Sequence, residues 1–151
     1  MANAVLGYIS VEILGAAEPV TIQQLFGYVF SPLAWLMGVP ASESAQIGRL
    51  MGTKTVINEF VAYSDLTAIA PTLSPRSAVI ASYALCGFAN FGSVGIIIGG
   101  YTILAPSRRG DFARLGLPAM FAGFFATNMT ACIAALLTPA SHLFTTTLAT
   151  P

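Results

Sequence analysis

Charge is what this chain has least of. Only 8% of its 151 residues are Asp, Glu, Lys or Arg, against roughly 25% in soluble domains, and that excludes an ordinary water-soluble fold. Six basic and six acidic side chains give a net charge of zero. Nothing is left to neutralise a phosphate backbone, which excludes nucleic acid as a partner. Histidine is nearly absent: the single one, His142, lies in a featureless C-terminal tail. Without a Ser/His/Asp set, a zinc-ligand spacing, a phosphate-binding glycine loop or an internal repeat, the chain does not read as an enzyme or a metal protein. Cysteine is scarce as well. Cys86 and Cys132 both lie in apolar runs and read as small core hydrophobes rather than a disulfide or metal pair. The start, Met1 to Val11, lacks the positive charge of a secretory signal and reads as the tail of a helix.

What is abundant is apolar surface, at 56% of residues. So apolar a chain cannot stay disordered, and a lipid bilayer is the solvent that fits it. At about 20 residues per span, the length has room for only a few crossings, which suggests one part of a larger transporter or channel. Two segments, Ser77 to Ala105 and Leu115 to Ala140, carry no charge and are each long enough to cover a ~30 Å core as a helix. The arginines between them, Arg108, Arg109 and Arg114, assign this loop to the cytoplasm by the positive-inside rule. Asn128-Met129-Thr130 has the form of a glycosylation sequon, but it is embedded in a hydrophobic run and is discounted.

The first of these segments has an unusual middle, Cys86-Gly87-Phe88-Ala89-Asn90-Phe91-Gly92-Ser93-Val94-Gly95. Gly95 and Gly99 fit a small-xxx-small face that lets another helix approach. Asn90 and Ser93 need another explanation. Buried polar groups require partners, and an unwound helix at membrane depth can offer such groups to a polar ligand. The expectation is a broken, ligand-lining helix over 77–105.

Upstream, residues 41–74 carry Glu43, Arg49, Lys54, Glu59 and Asp65, too evenly spaced for a span. One reading is an amphipathic linker. The other is a re-entrant hairpin of two short helices, roughly Ser44 to Val56 and Phe60 to Ala70, meeting at Ile57-Asn58-Glu59. A carboxylate at membrane depth costs about 2.5–3.5 kcal/mol on insertion scales and marks a functional site by default; against this, Glu59 could simply pair with Lys54 as structural glue. Residues 19–40 are uncharged but interrupted by Gln23, Gln24, Pro32 and Gly38, and periodicity leaves both an interfacial and a spanning helix open.

Three motifs in order carry a resemblance: Gly52-Thr53-Lys54-Thr55-Val56-Ile57-Asn58-Glu59-Phe60-Val61-Ala62-Tyr63, then Ser74-Pro75-Arg76-Ser77, then Tyr83-Ala84-Leu85-Cys86-Gly87-Phe88-Ala89-Asn90-Phe91. Together with Phe30-Ser31-Pro32-Leu33-Ala34-Trp35-Leu36-Met37-Gly38-Val39-Pro40 and Leu104-Ala105-Pro106-Ser107-Arg108-Arg109, they make the chain resemble the C-terminal half of the concentrative nucleoside transporters over about Ile22 to Leu137. The resemblance implies an all-α integral membrane fold, one half of a two-repeat transporter. Its expected parts are the end of a scaffold helix at 1–18, an interfacial or spanning helix at 19–40, a re-entrant hairpin at 41–74, the broken helix at 77–105, a transmembrane helix at 112–140 and a tail at 141–151.

It also implies roles. Glu59 would accept ribose hydroxyls, as an acceptor-only carboxylate can; Asn90 and Ser93 would serve the sugar, Phe88 would pack on the nucleoside, and Asn58 would hold the hairpin tip. Two positions depart from the family pattern, Gly92 where a serine is common and Ile97 where a glutamine often stands. The family's first hairpin and first broken helix, which hold the coupling sodium, have no counterpart here. The expectation is therefore a chain that binds no metal itself and does not move nucleoside alone. Its partners would be a nucleoside, the lipid bilayer, the missing N-terminal half or a chain supplying it, and copies of itself in the homotrimer typical of the family. The complete protein would perform cation-coupled uptake, with sodium or protons, across the inner or plasma membrane as a multi-pass protein. A rival reading is a structural or interaction subunit that moves no solute.

Overall fold

The computed structural model describes residues 2–13 and 20–138; the tail with His142 lies outside them. Among the described residues the chain is helical throughout, with no strand. α1 (Ala2–Tyr8) runs into a π-helical turn (Ile9–Ile13). α2 (Ile22–Leu36) starts at a capping box, in which the Thr21 side chain accepts from the Gln24 amide and the Gln24 side chain accepts from the Thr21 amide. Two orphan donors of the first turn are thereby satisfied. The chain reverses at Gly38, whose φ of 98° an L side chain rarely adopts, and Pro40 leads into α3 (Ala41–Val56).

α2 and α3 pack backbone to backbone through glycines. A Cβ placed on Gly48 would stand 2.5 Å from the Gly27 carbonyl oxygen, and one on Gly52 would stand 2.3 Å from Phe26 Cβ. Ser31 and Ser44 share a hydrogen bond of 2.9 Å across the same contact. Phe30 then meets Phe124 at 5.2 Å between ring centroids, the rings tilted by 38°, joining this pair to the last helix.

α3 and α4 (Glu59–Ile69) form a helical hairpin whose turn is Ile57-Asn58. Its base is latched: Glu43, at the start of α3, accepts from the Ser74 amide at 3.2 Å and the Ser74 hydroxyl at 2.9 Å. Ser74 also caps α5 (Pro75–Leu85), with Pro75 in the first turn, where its missing N–H costs nothing. A break at residues 86–90 separates α5 from α6 (Phe91–Leu104). The segment 77–105 is therefore not one continuous span. Its helices have 11 and 14 residues, each short of the roughly 20 needed to cross alone.

α7 (Arg109–Leu137) is the longest element at 29 residues, and it follows a short turn at Pro106–Arg108. Among the described residues one helical stretch, Pro106–Leu137, is long and apolar enough to cross a membrane. Its start precedes the expected position because Arg109, Gly110 and Asp111 are already helical, with an ion pair from Arg108 to Asp111 at 3.1 Å on the exposed side. The core lies where α2, α3, α5 and α7 meet, around Ala34, Ile47, Met51, Ile80, Leu85 and Phe124. α6 packs on α7, with Tyr101 5.5 Å from Phe112 between ring centroids and Val94 against the core, but none of its residues is fully buried.

Candidate functional site

Two helix starts converge at the turn of the hairpin and the break of the helix. At the first, Asn58 precedes α4 and its side-chain oxygen accepts from the Val61 amide at 2.9 Å. Glu59 is the first residue of that helix, a position where the dipole favours a negative side chain. At the second, Asn90 precedes α6 and its side-chain oxygen accepts from the Ser93 amide at 2.7 Å. Both turns are thus built the same way, with an asparagine satisfying an orphan donor of the helix it starts.

One hydrogen bond joins them. The Asn90 Nδ2 donates to Glu59 Oε2 at 3.2 Å, between residues 31 apart in sequence. Asn90 is 3% exposed, and both ends of its carboxamide are engaged. The remaining lone pairs of the half-buried Glu59 carboxylate and the Ser93 hydroxyl make no hydrogen bond to another described residue. Here a set of acceptors and one hydroxyl are gathered with capacity to spare.

Phe88 lies in the break with 70% of its surface exposed. It and Ser93 line a cavity of about 520 Å³ between the break, α6 and α7, to which Tyr101, Phe112 and Met120 also contribute. The volume falls within the roughly 300–1,000 Å³ of small-molecule sites. Glu59 and Asn90 do not line this cavity. The four residues expected around one nucleoside are therefore arranged as two pairs, Glu59 with Asn90 and Phe88 with Ser93, coupled by the capping bond that the Ser93 amide donates to Asn90.

Other expectations change. Lys54 makes no ion pair with Glu59; its Nζ donates to the Ala84 carbonyl at 2.9 Å and stands 5.8 Å from the Phe124 ring centre. Cys86 is not a core hydrophobe: it ends α5 at the break, where its thiol is free and exposed, whereas Cys132, half-buried, packs against the core as expected. The reason is local: the helix ends at Leu85, and Cys86 lies in the unwound break rather than on a packed helix face. Gly95 and Gly99 have no described atom within 4 Å of where a Cβ would lie, so the neighbour expected on that face is not among the described helices. Tyr63, quoted only as the end of a motif, donates to the Ser82 carbonyl at 2.7 Å. Among the described residues no group of His, Cys, Asp and Glu is arranged to hold a metal ion.

Residues 1–135 match a family described as the C-terminus of Na+ dependent nucleoside transporters. The chain is 51% identical over 117 residues to the uncharacterized transporter YutK of Bacillus subtilis, covering 78% of this chain and 29% of the relative. It is 43% identical over 132 residues to human solute carrier family 28 member 3, covering 78% and 19%. Among solved structures, that of CNTnw in an inward-facing substrate-bound state superposes with a TM-score of 0.81 at 45% identity, covering 94% of this chain and 36% of that one. The chain thus spans between 19% and 36% of the length of these proteins.

Proposed function

The chain belongs to the sodium-dependent nucleoside transporter family, a family of membrane transporters and not enzymes, and on that premise we propose that it is the ribose-facing half of a nucleoside:cation symporter. The hydrogen bond between Asn90 and Glu59, tying two helix starts across 31 residues, is the observation that supports this most. It sets the Glu59 carboxylate where the hairpin tip meets the break of the helix, and among the described residues no ion pair ties it up, since Lys54 donates to the Ala84 carbonyl. A carboxylate so held is acceptor-only and takes the two protons of a vicinal diol in short, charge-assisted bonds. The Asn90 amide orients it, and the Ser93 hydroxyl, able to donate and accept, serves a further sugar oxygen. Phe88 supplies the flat apolar surface that an uncharged base covers. Asn58 keeps the start of α4 in place beneath Glu59.

Binding enclosed from one side does not move solute. Alternating access needs two repeats closing on a site near the midplane, so the coupling cation, sodium or proton, and the contacts to the base edge belong to residues outside this chain. In the complete assembly, a multi-pass homotrimer of the inner or plasma membrane, this half contributes the sugar contacts.

Uptake of labelled uridine into liposomes tests the reading. The chain alone gives no sodium- or proton-driven uptake, whereas the chain joined to the N-terminal portion of a full-length relative does. In the joined form Glu59→Gln lowers kcat/KM at least about a hundredfold, as the loss of a charged hydrogen-bond acceptor costs roughly 3 kcal/mol. Cation-driven uptake by the chain alone would overturn the half-site, and an unimpaired Glu59→Gln protein would remove Glu59 from it.

A further inference from the structure

A helix that stops leaves its last four carbonyls without intrahelical donors, and within a bilayer no water is at hand to replace them. α5 stops at Leu85, so the oxygens to be accounted for are those of Ser82, Tyr83, Ala84 and Leu85. The chain satisfies two of them by tightening: Cys86 N–H donates to Tyr83 at 3.2 Å and Gly87 N–H to Leu85 at 2.9 Å. The other two are satisfied from the hairpin. Tyr63 Oη of α4 donates to Ser82 at 2.7 Å, and Lys54 Nζ of α3 donates to Ala84 at 2.9 Å.

Both donors reach far in sequence, 19 and 30 residues, and one comes from each arm of the hairpin. Lys54 is fully buried. Its ammonium lies at the negative end of the α5 dipole, where a cation is favoured, and within cation–π range of Phe124 on α7. A lysine with no exposed surface and no carboxylate partner is a costly choice for simple packing. A hydroxyl or an ammonium aimed at a particular carbonyl is what a cut helix end needs.

We infer that Lys54 and Tyr63 are positioning residues that cap the cut end of α5 and thereby lock the hairpin and the broken helix into one rigid piece, which sets Glu59 at its distance from Asn90. Neither touches the proposed substrate. Each acts through the break: the capped end of α5 fixes where the chain leaves at Cys86, and so where Asn90 begins α6. The latch at the hairpin base, Glu43 to Ser74, holds the other end of the same piece. The hairpin is thus tied to the broken helix at its base, at its middle and at its tip.

Hydrogen–deuterium exchange on the full chain in lipid nanodiscs reads this joint directly. Tyr63→Phe deletes one hydroxyl and keeps the ring, Lys54→Met keeps the apolar stem, and Thr67→Ala is a control because its hydroxyl bonds only within α4, to the Tyr63 carbonyl. In Tyr63→Phe the amides of residues 84–91 exchange at least about fivefold faster, more so in Lys54→Met, while those of α2 stay within about twofold. The control leaves 84–91 unchanged. If Tyr63→Phe leaves 84–91 as in the parent, or speeds α2 and 84–91 alike, the lock does not exist; should Lys54→Met fail to fold, Tyr63→Phe decides alone.

The last step, the setting of Glu59 against Asn90, rests on the function proposed above and has its own readout. In the joined, uptake-competent protein Tyr63→Phe raises KM for uridine about three- to tenfold at unchanged maximal rate per molecule. A merely structural role would lower the amount of protein and leave KM alone. An unchanged KM beside faster exchange overturns the positioning of Glu59. Absence of uridine uptake in the parent counts against the proposed function and leaves the exchange result to judge the lock.

Discussion

α3 and α6 each carry glycines four residues apart, Gly48 and Gly52 on one, Gly95 and Gly99 on the other, yet the two pairs live in opposite surroundings. On α3 the pair is pressed against α2, with the Gly27 carbonyl and the Phe26 side chain where a Cβ would go. On α6 no described atom lies within 4 Å of where a Cβ of Gly95 or Gly99 would go, and no residue of the helix is buried. The same spacing therefore means a finished contact in one place and an open face in the other. Small residues permit close approach; they do not say whether the partner is in the same chain.

The largest effect expected is at the closed pair. Gly48→Ala forces a methyl group onto backbone atoms that cannot swing aside, and costs about 3 kcal/mol, the upper range of overpacking, read as a lowered unfolding midpoint of the chain in detergent. A midpoint unchanged within error would mean that α2 and α3 do not touch as described. Next is Asn90→Ala, which removes both the cap of α6 and the hydrogen bond to Glu59. Its cost is about 2 kcal/mol, at the top of the range for losing a cap, with exchange of the α6 amides increased. Asn58→Ala removes a cap alone, at a more exposed turn, and costs about 1 kcal/mol; if it matched Asn90→Ala, the bond to Glu59 would contribute nothing. Smallest, and opposite in sign, is Gly95→Ala. With open space around it, the substitution stabilises α6 by up to about 1 kcal/mol through helix propensity. Destabilisation instead would show that the α6 face is covered within this chain, and the contrast with α3 would collapse.

How much of this was legible beforehand follows the same division. The break at 86–90 and the turn at Asn58 announce themselves, because glycines and asparagines amid apolar residues have local costs that only an interruption repays. The length limits are also local, and so the two arms of the hairpin could be placed to within a few residues. What could not be read was partnership. A lysine in an apolar run advertises a need for an acceptor, but the acceptor it found is a backbone oxygen 30 residues away, and every residue type carries one of those. The rival reading, in which Glu59 merely pairs with Lys54, looked only at side chains. Likewise Asn90 reads as a polar group offered to a ligand, whereas its first obligations are to the Ser93 amide and the Glu59 carboxylate. Cys86 was misjudged for a related reason: an apolar neighbourhood in sequence says nothing of exposure once the helix has unwound. The division of the site residues into two pairs depends on how α4, the break and α6 sit against one another, and that is set by tertiary packing.

The Glu43–Ser74 latch and the Glu59–Asn90 bond join residues separated by the same 31 positions, and their intervals overlap from Glu59 to Ser74. Adding or deleting one residue in α4 or in the turn after it would put both ties out of step at once. Of these two ties, a change within residues 44–58 would displace the one at the base, and a change within residues 75–89 the one at the tip. Chain length, and not merely side-chain identity, is thus a constrained quantity over this stretch: protein engineers seeking a place to splice in a tag or reporter should expect residues 59–74 to refuse it.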